Sequence, residues 1–146
     1  MDSDLEKAKK LVEAAIRALG LDPAALQAES AQDRVGWCLK RGSAAVLVTV
    51  TSRADKTTYL RVASPVVTLP AESAKQTALF RKVLELNAAG LANAAFGLAG
   101  ERVVAVSERP TNGLDPQEVE QMVRHLSAVA DTFDDRLVRE FGATKA

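Results

Sequence analysis

Residues 34–63 read RVGWCLKRGSAAVLVTVTSRADKTTYLRVA, and the choice between strand and helix here decides the fold. Val35, Trp37 and Leu39 alternate with Gly36, Cys38 and Lys40, the period of two that a half-buried strand requires. Arg41-Gly42-Ser43 supplies a turn. Ala44–Thr51 is rich in β-branched residues and largely apolar on both faces, which predicts a central strand. Arg53–Lys56 turns again, and Thr57–Ala63 reads as a third strand. Links this short fit antiparallel hairpins, because a parallel crossover needs a dozen or more residues.

Upstream, Leu5, Ala8, Leu11, Val12, Ala15, Ile16 and Leu19 recur at helical spacing over residues 4–19. Ser3 with Glu6 matches a capping box, and Gly20 offers a left-handed stop. Asp22-Pro23 predicts a helical turn to Leu26. The polar stretch AESAQD (28–33) reads as a connection. Downstream, SPVVTLP (64–70) is apolar but bracketed by prolines, which predicts an extended edge or crossover rather than a central strand. A helix follows over about Glu72–Asn87, with Leu79, Phe80, Val83, Leu84 and Leu86 crowded into its second half. The small-residue segment LNAAGLANAAFGL (86–98) reads as a helix end broken at Gly90, then an extended run over Leu91–Leu98 that permits close backbone or subunit approach. Ala99-Gly100-Glu101 turns into a fifth strand, Arg102–Ser107.

The last helix carries the most local signals. Asp115-Pro116-Gln117-Glu118 combines an N-cap acid, proline at the first helical position and a glutamate three residues after the cap. Val119, Met122, Leu126, Val129, Phe133 and Leu137 then form one apolar stripe, extended by Phe141 and stopped by Gly142. The order is helix, three strands, helix, two strands, helix. It predicts one α+β two-layer domain over 1–146, mainly antiparallel in its sheet, with an N-terminal helical segment (1–27), strands and middle helix (34–107) and a C-terminal helix (115–142).

A chain of 146 residues with 47% hydrophobic content can bury a core. Nineteen basic residues balance nineteen acidic ones, so no net field attracts nucleic acid or an anionic membrane. The signs are uneven: seven basic against four acidic residues from Arg53 to Arg102, and five against eight from Glu108 onward. That polarity could orient a partner, though a solvated surface is its more ordinary meaning. Cys38 is the only cysteine, which excludes an internal disulfide and leaves a thiolate zinc site without ligands. The charged N-terminus MDSDLEKAKK has no apolar stretch of signal-peptide type, and no run approaches a membrane span, so a cytoplasmic location is expected.

No catalytic constellation emerges. His125 is the sole histidine and has no serine–acid or cysteine partner nearby in sequence; it reads as a surface or half-buried structural residue. Cys38 beside Trp37 could be activated by Lys40 or Arg41, but free cysteines more often act as small apolar residues. Asp131, Asp134 and Asp135 share a helix, where pairing with Arg136 and Arg139 is expected before metal binding. Glycines 90, 97 and 100 make neither a dinucleotide fingerprint nor a phosphate loop. The expected cofactor and metal sets are therefore empty. The stripe containing Met122, Val129 and Phe133 packs on the sheet in the ordinary reading, or in part meets a second subunit or a client.

The segments SPVVTLP (64–70), LELN (84–87), SERP (107–110) and LDPQEVEQMVRHL (114–126), in this order and spacing, resemble the bacterial YbjN family. That family is similar in fold to the type III secretion chaperones, and the resemblance covers about residues 30–142 plus the first helix. It implies an α-β-β-β-α-β-β-α domain, commonly a homodimer, that handles other proteins and turns over no substrate. YbjN-type proteins are described as sensory transduction regulators; the secretion chaperones hold effectors in partly extended form. The expected function is thus a non-enzymatic protein-interaction module, chaperone-like or regulatory. Its partners would be itself and a protein client or signalling partner. Leu91, Ala94, Ala95, Phe96, Met122, Val129 and Phe133 are the candidate interaction or dimer surface. The alternative is a small-molecule-responsive regulator, or an enzyme with a pocket near Trp37, Cys38 or His125.

Overall fold

The computed structural model describes residues 2–146. Helix α1 (Ser3–Ala18) is capped by Asp2, whose carboxylate accepts from the Leu5 amide at 2.7 Å. This corrects the expected Ser3–Glu6 capping box. Ser3 already lies inside the helix, and the acid before it satisfies the orphan donor. The one-turn helix α2 (Pro23–Leu26) follows its Asp22 cap, with proline in the first turn as expected.

The first half of the stretch expected as a polar connection (28–30) joins Gln27 in strand β1 (Gln27–Ser30), antiparallel to β2 (Arg34–Arg41), and 31–33 remain the connection. All four β1 residues are exposed. No apolar alternation therefore marks it in the sequence, and only its pairing makes it a strand. β2 and β3 (Ala44–Ser52) form the expected hairpin, in a register that sets Trp37 opposite Val48 and Cys38 opposite Leu47. Val35, Trp37 and Leu39 are fully buried, as the alternation predicts.

Strand β4 (Thr58–Thr68) runs straight through SPVVT and pairs on both sides, so the expected edge or crossover is corrected. β3 stops pairing with β4 at Leu47–Ala63, so the missing N–H of Pro65 breaks no bond to β3. At the point of parting, the Ser64 hydroxyl donates to the Ala45 carbonyl at 2.7 Å. An irregularity between Pro65 and Val67 then resets the ladder on the other side.

Helix α3 (Ser73–Ala89) ends at Gly90, whose φ of 100° only glycine adopts readily. Strands β5 (Ala95–Ala99) and β6 (Arg102–Pro110) form a hairpin. The extended run expected over Leu91–Leu98 is shorter than predicted: Ala92 and Asn93 are left-handed, at φ 53° and 64°, and the strand starts at Ala95. Helix α4 (Pro116–Phe141) has the full capping box, with Glu118 N–H to Asp115 at 2.9 Å and Asp115 N–H to Glu118 at 3.2 Å. Gly142 closes it in the left-handed conformation. A two-residue strand, β7 (Thr144–Lys145), returns to pair with β4.

The sheet is antiparallel, in the order β1-β2-β3-β4-β6-β5, with β7 beside β4. Five strands were expected and seven form among the described residues, but the α+β two-layer class holds. α4 lies across β4, β3 and β6 with α1 beside it. Their stripes bury Leu5, Val12 and Ile16 with Val119, Leu126 and Leu137 against Trp37, Val48, Leu60 and Val62. β3 is central in order but buried on one face only. Ala45, Leu47 and Thr49 look the other way, and Leu47 is 47% exposed. No helix among the described residues is long and apolar enough to cross a membrane.

Candidate functional site

The segment between α3 and β5 is held by two side chains. Asn87, in the last turns of α3, accepts from the Phe96 amide at 2.7 Å and donates to the Phe96 carbonyl at 3.0 Å. Its carboxamide thus pairs with β5 as a neighbouring strand would. His125 Nε2 lies 2.6 Å from the Leu91 carbonyl. Between these two anchors the chain takes its left-handed step at Ala92-Asn93. Phe96 is buried and meets Phe133 edge-on, with ring centroids 5.4 Å apart. Met122 and Val129 are buried as well, while Leu91, Ala94, Ala95 and Phe133 are half-buried. Met122, Val129 and Phe96 therefore spend their apolar surface within the chain, and the other four retain some outside.

Trp37, Cys38 and His125 do not converge. Trp37 is fully buried on the helix-covered face, and its indole N–H finds no partner among the described residues. Cys38, the next residue along β2, is half-buried on the opposite face. His125 lines a cavity of about 220 Å³, together with Asn93, Arg109, Glu118, Gln121 and the buried Ser107. The Ser107 hydroxyl has no partner among the described residues. Arg109 and Glu118 form an ion pair at its rim.

The acidic group on α4 does not pair as expected. Asp131 accepts from the Ser43 hydroxyl at 2.9 Å, and Asp135 pairs with Lys145 at 2.9 Å. Arg136 turns instead to Glu140. The reason is tertiary: the turn before β3 and strand β7 reach α4 from distant sequence. The Lys145 hydrogen bond and charge hold the Asp135 carboxyl below the usual carboxylate range. Asp135 in turn raises Lys145, with Asp134 and Asp131 adding to the effect. At the other end of the molecule, the Leu5 amide and the Ser52 hydroxyl lower Asp2. No group of metal-ligating side chains occurs among the described residues.

The face of the sheet away from α1 and α4 carries a register-aligned row. Cys38 faces Leu47, Leu47 faces Ala63, Ala63 faces Val106 and Val106 faces Ala95. Five apolar side chains thus cross five adjacent strands. Polar groups bound the row: Glu108 takes ion pairs from Arg53 and Arg61, at 2.5 and 3.2 Å, and Arg53 lies over the Tyr59 ring. Two further large apolar residues are exposed, Leu84 on α3 at 66% and Leu98 on β5 at 56%. Leu84 sits in an open groove along α3 with Thr77, Phe80, Arg81, Glu85 and Ala88. The sequence held a signal for it. Leu79, Val83 and Leu86 share one helical face, whereas Phe80 and Leu84 lie four apart on another.

The family model for T3SS (YopN, CesT) and YbjN peptide-binding chaperone 1 matches residues 6–146. This chain belongs to that family. The peptide-binding chaperone fold is shared by solved structures at low identity. A chain in the HopA1–SchA chaperone–effector complex is 16% identical, at a TM-score of 0.61, with 92% of this chain and 98% of that one covered. One in the ExsC–ExsE complex is 17% identical at 0.65, with 94% and 97% covered. One in the heterodimeric ExoU–SpcU complex from the type III secretion system of Pseudomonas aeruginosa is 13% identical at 0.55, covering 88% and 95%. No curated protein matches the chain.

Proposed function

We propose that this chain is a non-enzymatic holder of protein segments, chaperone-like or regulatory, that works in the cytoplasm and pairs with a second copy of itself. The observation that carries the reading is the row Cys38, Leu47, Ala63, Val106 and Ala95 on a sheet face that no helix covers. Burying such a row against an extended client segment removes apolar surface from water, and the Arg53–Glu108–Arg61 border orients the segment. Membership in a family described as peptide-binding supports the same reading. Leu91, Ala94 and Phe133, with the α3 groove at Phe80 and Leu84, are the surface proposed for the second copy, whereas Ala95 belongs to the client row.

The test is co-purification of the tagged chain and of its Leu47→Asp variant from the native cytoplasm, quantified against an untagged control. One or a few stoichiometric protein partners are expected, lost in Leu47→Asp at unchanged melting temperature. Partners retained by the variant, or none under any growth condition, overturn the reading.

The His125 cavity favours a second reading, a small-molecule-responsive regulator, because the buried Ser107 hydroxyl lining it has no partner among the described residues. Native mass spectrometry of the purified chain decides this. A retained adduct lost in Ser107→Ala supports it, and a bare chain counts against it.

A further inference from the structure

We infer that the edge of β4 at Val67–Thr68 receives an extended segment bearing a lysine or arginine, and that Thr144-Lys145 of this chain occupy it as a displaceable plug. The inference rests on the peptide-holding reading and gives it a second, charge-selective site. β4 has β6 on one side along this stretch, with Val67 opposite Val103 and Thr68 opposite Arg102. Its other side is left vacant by β3, which parts from it beyond Leu47–Ala63. A strand edge without a neighbour is a template for added strand. Here the chain's own residues fill it, Lys145 opposite Val67 and Thr144 opposite Thr68.

The wedge between the parted strands stays open. It forms a cavity of about 340 Å³, lined by Ser43, Ala45, Pro65, Val66, Asp134 and Arg102. A segment longer than two residues placed on this edge would continue into that space. The charge requirement comes from α4. Asp135 holds Lys145 at 2.9 Å, and Asp134 and Asp131 reinforce it, while Arg102 and Lys40 face the cavity from the sheet. A cationic side chain in the Lys145 register meets the Asp135 carboxylate, with the charges of Asp134 and Asp131 adding at longer range; an anionic one meets repulsion. The plug itself is loosely held. It has two paired residues, and its ion pair is more than half exposed on both sides, so water and salt weaken it.

The probe is a fluorescent synthetic peptide REFGATKA, identical to residues 139–146, and a control peptide with glutamate in place of its lysine. Both are titrated into the full chain and into its Lys145→Glu variant, whose tail the carboxylates repel. The variant is expected to bind REFGATKA at least tenfold more tightly than the unaltered chain, more weakly as salt rises, and to ignore the control peptide. Adding Asp135→Lys should abolish the binding. Equal affinities for the two chains, no binding to a folded variant at millimolar peptide, or equal binding of the control peptide overturns the inference. If Lys145→Glu fails to fold, Lys145→Ala takes its place with the same expected ranking. Loss of this binding alongside client capture that still depends on Leu47 removes the second site and leaves the peptide-holding reading standing. Peptide binding here without any captured client does the reverse.

Discussion

Asn87 shows how much a single side chain decides. Its carboxamide satisfies both main-chain groups of Phe96, and so docks β5 against the end of α3. Asn87→Ala leaves an amide and a carbonyl without partners in a half-buried setting, which costs about 1–3 kcal/mol. Urea unfolding should show that loss, and a midpoint equal to that of the unaltered chain would deny the clamp its role. Five residues on, Ala92 sits at a φ of 53° with a Cβ that resents it. Ala92→Gly should therefore raise stability, by up to about 1 kcal/mol after the glycine's extra chain entropy is subtracted. Neither effect was legible beforehand. Asn87 reads as an ordinary helix end, and nothing in its spacing from Phe96 announces a pairing. Gly90 and Gly142 were legible, because glycine takes a positive φ without steric cost and so commonly ends a helix whatever surrounds it.

At the level of elements, what announced itself locally formed as expected. α4 carries its own cap, its own proline and its own stripe, so its limits follow from neighbours in sequence. β1 and β7 carry no such marks, since exposed polar edge strands exist only through what they pair with. SPVVTLP misled for the same reason. Proline forbids a bond only where a neighbour requires one, and where β3 ends is not written near Pro65. β7 also sets a pH dependence. The lowered Asp135 contributes above the ordinary carboxylate value of 3.8, and that contribution is lost as pH falls through its depressed folded value. The raised Lys145 contributes below 10.5, and is lost as pH rises through its elevated folded value. The cross-strand nuclear Overhauser contact between Thr144 and Thr68 should thus hold across neutrality and fade at both extremes. A contact undiminished with both groups discharged would remove the ion pair from the account of β7.

The whole molecule is a sheet with one face covered by helices and one face open, and its proposed partnerships follow from that asymmetry. Leu47 and Leu84 lie on different surfaces, so they separate the client from the second copy. Leu84→Asp should change stability by less than about 0.5 kcal/mol, as exposed substitutions do. It should also convert a dimer to a monomer by light scattering while leaving client capture intact. A dimer that persists moves the self-association surface away from the α3 groove. By itself the sequence determined the α+β class, the three long helices, five of the strands and the resemblance to the family that the match over residues 6–146 establishes. These rest on periodicity, capping and motif order, all interactions between near neighbours. Only the tertiary structure decided which face of β3 stays open, what covers the edges of β4 and β5, and which partners Asp131 and Asp135 take. Those depend on where strands begin and end relative to residues far along the chain, and a contact of that range leaves no period in the sequence.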